Sequence, residues 1–114
     1  MLRSLHAYQL DAATVDRVVT QRSPGAYVLG HKEPGRNFSI EFVGRAEGSL
    51  NVRLKQQANA TAYTAFTFQY CTTAQQAFEA ECTVFHTFAP PHNKSHPTRP
   101  ANADWKCPGC KSYG

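Results

Sequence analysis

Residues 37–57 read NFSIEFVGRAEGSLNVRLKQQ. Phe38, Ile40 and Phe42 alternate with Asn37, Ser39 and Glu41, the period of two expected of a half-buried strand. From Ser49 the period changes. Leu50 and Leu54 fall four residues apart, on one side of a helix. Gly44 and Arg45 stand between the two patterns, and Arg53 follows on the helix. A glycine and two cations around a strand-to-helix turn let backbone and positive charge approach an anion closely. The same composition is also common in loops, so the rest of the chain has to decide.

Upstream, DAATVDRVVTQ (11–21) places Val15, Val18 and Val19 at helical spacing, and Ser23-Pro24-Gly25 stops it. AYVLG (26–30) reads as a strand, and Pro34-Gly35 supplies turn chemistry before the next one, so the two strands predict a hairpin. Downstream, Phe66, Phe68 and Tyr70 alternate with Thr67 and Gln69 as a third strand. A last helix starts at TTAQQAFEAE, where Thr72 or Thr73 can cap and Gln75 or Gln76 can complete a capping box. It ends before Pro90-Pro91. The expected order is helix, strand, strand, helix, strand, helix, and then an irregular tail.

The chain has 114 residues, enough for one domain with a modest core. Hydrophobic residues make up 41% and charged residues 18%, which is too apolar for disorder. A net charge of +4 and a pI near 9.0 favour a polyanionic partner only weakly. No apolar run is long enough to span a membrane, and MLRSLHAYQL is too short in apolar residues for a secretory leader. A soluble, cytoplasmic protein is therefore expected, in which the four cysteines are thiols or metal ligands rather than disulfides.

The last helix carries an anomaly. Phe78, Phe85 and Phe88 form an apolar stripe, and Glu81 falls inside it. Glu79 points elsewhere and reads as solvated. A buried carboxylate is costly unless a cation meets it. Arg45, Arg53 or a divalent metal could do so. The bland alternatives are a structural Glu–Arg pair, or a stripe edge at which Glu81 reaches water.

Taken together, these residues resemble the GIY-YIG nuclease superfamily, which includes the cleavage domain of the bacterial excinuclease C subunit and several homing and restriction endonucleases. Gly25-Ala26-Tyr27 looks like the first half-motif and Phe42-Val43-Gly44, followed by Arg45, like the second. SLNVRLKQ resembles the family's helix and puts Arg53 at its arginine. ECTVFHTFAPPHN resembles the segment with the metal-binding glutamate, so that Glu81, Pro90 and Asn93 fall at familiar spacings. The likeness spans residues 23–93. It implies one α+β domain over 1–93, with a three-stranded antiparallel sheet flanked by helices and the N-terminal helix at 11–21. Residues 94–114 form an irregular basic tail.

The implied activity is hydrolysis of a DNA phosphodiester with Mg2+ or Mn2+, as in DNA repair or mobile elements. Tyr27 would take the proton of the attacking water, provided nearby cations lower its pKa from about 10. Arg53 would clamp phosphate oxygens, and Arg45 would stabilise charge near the glycine turn. Glu81 would hold the metal, and Asn93 would position Glu81 or the phosphate. On this reading Gly44 allows a tight turn that lets both arginines converge. Each residue also has a plain structural reading: Tyr27 as a packed strand tyrosine, Arg53 as a solvated cation, Asn93 as a helix-end cap. Two positions depart from the family pattern. Phe42 stands at the second tyrosine, and Gln57 stands where histidine or tyrosine is common.

In the tail, Cys107-Pro108-Gly109-Cys110 has the C-x-x-C spacing of a zinc turn, which is only half a site; the alternatives are a chance pair or, less favoured in a tail, a redox pair. Cys71, His92, His96 or a second subunit would supply the rest. Cys82 reads as a small buried hydrophobe. Lys55, Lys94, His96 and Arg99 are candidate contacts to nucleic acid backbone, or a solvated surface. His31 and His86 read as surface residues. The function classes left open are a DNA endonuclease, a DNA-binding module that has lost cleavage, and a zinc-stabilised interaction protein.

Overall fold

A computed structural model describes residues 7–32 and 38–109. The expected Pro34-Gly35 turn and Cys110 lie outside those residues. Strand β1 (Tyr8–Gln9) and helix α1 (Ala12–Val18) are followed by β2 (Gly25–Lys32) and β3 (Phe38–Ala46). Helix α2 (Leu50–Ala60), β4 (Ala65–Tyr70) and α3 (Ala74–Phe88) complete the order. The architecture is α+β, with one antiparallel sheet in the order β1-β4-β2-β3. Among the described residues the sheet has four strands, not three. The missed strand has only two residues, Tyr8 and Gln9, paired with Phe66 and Ala65. So short a strand carries no alternation to detect.

Helix α1 ends at Val18, before the expected Gln21. Asp11 caps its start, accepting from the Thr14 N–H at 2.7 Å. At its end the run Val18-Val19-Thr20 is β-branched and a poor helix former. The Tyr70 hydroxyl then accepts from the N–H groups of Thr20 and Gln21 and draws the chain away from the helical path. Helix α2 begins after Ser49, whose hydroxyl accepts from Val52 N–H. At α3 the Thr73 hydroxyl accepts from Gln76 N–H, and the Gln76 side chain reaches back to Thr72 N–H. Ala89, in the left-handed region at φ 44°, closes α3 ahead of Pro90.

Central strand β2 is buried on both faces, which explains its nearly continuous apolar sequence. Tyr27 and Leu29 face one side, packing with Val15, Val19, Leu50, Leu54 and Phe66 under α1 and α2. Val28 faces the other, packing with Val43 and Val84 under α3. Gly25 begins β2 where space runs out. A Cβ there would lie 2.2 Å from the Gln69 carbonyl oxygen and 2.3 Å from Leu50 Cδ1.

The stripe on α3 differs from expectation. Phe78, Glu81, Cys82 and Val84 are buried, whereas Phe85 is half-buried and Phe88 is exposed. The tail then folds back over this helix. Phe78 packs with Trp105 at 5.7 Å between ring centroids, and Arg99 donates to the Trp105 carbonyl at 2.7 Å. No described helix is long and apolar enough to cross a membrane.

Candidate active site at the sheet edge

Among the described strands β3 lies at one edge of the sheet, beside β2. Tyr27, Phe42 and Gly44 from one face, with Arg53 and Gln57 of α2, share a cavity with Arg45 and with Glu81 of α3. Glu47 and Gly48 complete its rim, and its volume is about 380 Å³. Four of the five residues expected to be catalytic, Tyr27, Arg45, Arg53 and Glu81, therefore line one site.

Gly44 has a different role from the one expected. β3 runs straight through it to Ala46, and it pairs with Tyr27 across the sheet. The chain turns later, at Glu47-Gly48. Glycine is required because the Tyr27 ring lies over this position. A Cβ on residue 44 would stand 2.5 Å from the phenol oxygen and 2.6 Å from Cζ. Its absence makes room for the phenol inside the sheet's edge. Phe42 lies on the same face of β3, opposite Leu29 and diagonal to Tyr27. It stacks on Tyr63.

The phenol oxygen of Tyr27 accepts a hydrogen bond from Gln57 Nε2 at 3.2 Å. Gln57 lies one turn after Arg53 on α2, so the departure from the family pattern supplies a partner for the tyrosine. Tyr27 is 2% exposed, and this burial decides its protonation. Desolvation pushes its pKa up to about 12, against the pull of the Arg53 charge and the Gln57 hydrogen bond. The lowered pKa required by the sequence reading is thus not met in the free protein. Tyr27 is a neutral phenol at pH 7, with its O–H still available to donate.

Glu81 is buried at 7% exposure, as its place in the stripe implies. Its cation is Arg45, whose Nη1 donates to Glu81 Oε1 at 2.8 Å. Arg45 also grips Glu47 through Nε and Nη2, at 3.0 and 2.7 Å. Its guanidinium carbon sits 5.2 Å from the centre of the Phe78 ring. Burial outweighs the arginine and holds the Glu81 carboxyl above its ordinary range. Arg45 is therefore committed to two carboxylates. Arg53 is exposed, and no described residue forms a salt bridge with its guanidinium.

Asn93 lies outside the cavity. Its side chain donates to the Val43 carbonyl at 3.0 Å and accepts from the Val43 N–H at 2.8 Å. It satisfies both outward groups of an edge-strand residue, so it acts on β3 rather than on Glu81. The adjacent His92 backbone N–H adds a bond to the Glu41 carbonyl.

The expected nucleic-acid contacts also separate. Lys55 is tied to Asp16 of α1 at 2.8 Å. Arg99 is turned inward onto the tail, and His96 belongs to a cluster of possible metal ligands. Lys94 alone of the four is exposed with no such engagement.

That cluster comprises Cys82, His96 and Cys107, whose ligand atoms all lie within 4.8 Å of one another, so it could hold a metal. Cys82 is a member and not merely a small hydrophobe. Cys71 and His92, weighed as partners of the knuckle, are not in it. His92 instead meets the Tyr63 hydroxyl and lies 3.7 Å from Glu41. The signal for Cys82 was its place on the buried face of α3, which the apolar reading absorbed.

Comparisons with protein-family models, with curated proteins and with solved structures found no match to this chain.

Proposed function

We propose that the chain is a GIY-YIG-like endonuclease hydrolysing DNA phosphodiesters with the help of Mg2+ or Mn2+. The observation that carries the reading is the convergence of Tyr27, Arg53, Arg45 and Glu81 on one cavity from four separate elements.

Arg53, exposed at the rim, is the group suited to meet a phosphate, because its planar fork matches two oxygens at once. Tyr27 lies deeper, with its oxygen held by Gln57 and its O–H directed by that bond. In the free protein it is a phenol. It can act as a base only when cations in the loaded site bring its pKa down, and Arg53 already pulls that way. Arg45 restrains Glu81 and Glu47 and screens their charge from an approaching phosphate.

The carboxylates fit a hard divalent ion by donor type, Glu81 from within and Glu47 from the rim. Arg45 engages both, so an ion would share Glu81 with the guanidinium. Such an ion supplies positive charge against the negative charge that grows on the phosphate. For Cys82, His96 and Cys107 the suited ion is Zn2+, because thiolate and imidazole are its usual donors.

The experiment is incubation of plasmid with purified protein, with and without Mg2+ or Mn2+, beside a band-shift assay. Metal-dependent nicking is the expected result. A metal-independent shift without nicking would leave a DNA-binding module that has lost cleavage. Neither effect would leave a zinc-stabilised interaction protein.

A further inference from the structure

We propose that the rings beside the candidate site, Phe42, Tyr63, His31 and His92, form a stacking surface for one unpaired base, so that the substrate is DNA with an unpaired nucleotide next to the cut. The inference rests on the nuclease reading above and names its substrate class. Phe42 belongs to two places at once. It lines the cavity that Arg53 also lines, and it stacks on Tyr63, in the loop between α2 and β4, with ring centroids 6.4 Å apart and planes 22° apart. Tyr63 in turn meets the rings of His31 and His92, at 5.8 and 5.6 Å between centroids. A row of aromatic and imidazole rings therefore continues outward from the cavity. Phe42 and Tyr63 pack against the main core without being enclosed by it, His31 is half-buried and His92 is exposed.

The rings are fixed before any ligand arrives. The ladder between β2 and β3 shifts register here. Leu29 pairs with Phe42 and Gly30 with Ile40, which leaves Glu41 as an extra residue on β3. Such a bulge re-aims the side chains around it. The Glu41 carboxylate accepts from the Ser39 hydroxyl and lies 3.7 Å from His92 Nε2, while its backbone carbonyl accepts from the His92 N–H at 2.9 Å. Asn93 fastens the same segment to Val43. On its other side the His92 ring shares a hydrogen bond with the Tyr63 hydroxyl, through Nδ1. The His31 ring is bonded to the hydroxyl of Thr64, the residue after Tyr63. Little side-chain freedom is left to lose when a ligand stacks on rings held in this way.

The neighbour of the patch identifies its ligand. Arg53, exposed at the same cavity, is suited to a phosphate. A cation for the backbone beside aromatic faces for the bases is the arrangement that binds single-stranded nucleic acid. Paired bases in a duplex have their faces covered by the bases above and below. Only an unpaired or flipped base offers a face to a protein ring. Every base has such a face, so the surface selects the structure of the strand and not its sequence.

The test measures binding of the full chain, without added divalent metal, to a labelled DNA duplex carrying one unpaired adenine. The same duplex fully paired, and one with an abasic site in place of that adenine, are measured beside it. The parent should favour the unpaired adenine by roughly 5- to 150-fold, the share of one stacked base. The abasic site should remove the preference, an arm that needs no variant. Tyr63→Leu should lose the preference and keep its affinity for the paired duplex. Tyr63→Phe keeps the ring and loses only the bond to His92, so it should retain the preference. Equal affinity of the parent for paired and unpaired DNA, or a preference that survives the abasic site or Tyr63→Leu, would each overturn the proposal while leaving cleavage of paired DNA in Mn2+ free to stand. A parental dimer that dissociates in Tyr63→Leu would give the rings to a second copy of the chain and overturn it too. The expected preference without any cleavage in Mg2+ or Mn2+ would uphold the stacking surface and sink the nuclease reading instead.

Discussion

Tyr27→Phe is expected to slow single-turnover cleavage by roughly 10²–10⁴-fold, the usual contribution of a positioned proton acceptor. Binding of uncut DNA should change little, because the hydroxyl lies beneath the rim on which Arg53 stands. The substitution removes one hydrogen bond, from Gln57, and leaves the buried ring in place. The same variant carries a pH signature. An unfolded tyrosine ionises near pH 10, and burial raises folded Tyr27 to about 12. The folded state then holds the proton more tightly. The stability this contributes is complete below pH 10 and is lost as pH rises to about 12. Tyr27→Phe should not share that loss, which denaturant titrations at pH 9 and pH 11 would read. An unchanged cleavage rate would place the base elsewhere. Cleavage seen only in Phe42→Tyr would make the natural chain a binding module, since Phe42 occupies the same face of β3 as Gly44.

Arg45→Met is expected to destabilise the fold by about 3–5 kcal/mol, the cost of stripping a buried carboxylate of its partner. Both side chains of the Arg45–Glu81 pair are largely sheltered, 14% and 10% exposed. The bond to Glu47 matters less, because that carboxylate is 43% exposed and screened by solvent. Met keeps apolar contact with Phe78 but offers no charge. Glu81, already held above its ordinary range, would rise further, so the destabilisation should shrink in acid, where the carboxyl is protonated in both states. Adding Glu81→Leu should restore most of the loss, because the orphaned charge is then gone. Urea unfolding of the single and double variants at pH 7 and pH 4 checks this. A midpoint near the parental value in Arg45→Met would mean that Glu81 is solvated.

The sequence made the sheet and its helices legible wherever periodicity or capping chemistry was strong. The alternation of β4 and the Thr73–Gln76 pair placed those elements closely. The two-residue strand β1 was invisible, since its place is set by pairing with β4 and not by any pattern of its own. The end of α1 was misread because a distant hydroxyl, that of Tyr70, decides it. At the candidate site, Glu81 was legible as a carboxylate among aromatic residues, but its partner was one of three options until Arg45 was seen to reach it. Gly44 shows the limit most clearly. A glycine before a basic residue suggested a turn, whereas its role comes from a tyrosine on the neighbouring strand. Asn93 bonds the Val43 backbone, a contact that its spacing did not announce. A side-chain amide that mimics a strand leaves no mark in local spacing. His96 and Cys82 come together only through the fold of the tail.

The most direct measurement of the central claim is single-turnover cleavage of a labelled duplex in Mn2+ by Glu81→Gln beside Glu79→Gln. Glutamine keeps an oxygen for the Arg45 Nη1 bond, so the fold should survive, while the charge that would hold a hard cation is lost. Glu79 is a half-buried residue on the same helix, bonded to Gln75 and outside the cavity. The expected result is cleavage near the parental rate in Glu79→Gln and a loss of roughly 10²–10³-fold in Glu81→Gln, several kcal/mol of transition-state stabilisation. Equal rates in the two variants, or no cleavage by the parent itself, would contradict a nuclease centre built on Glu81.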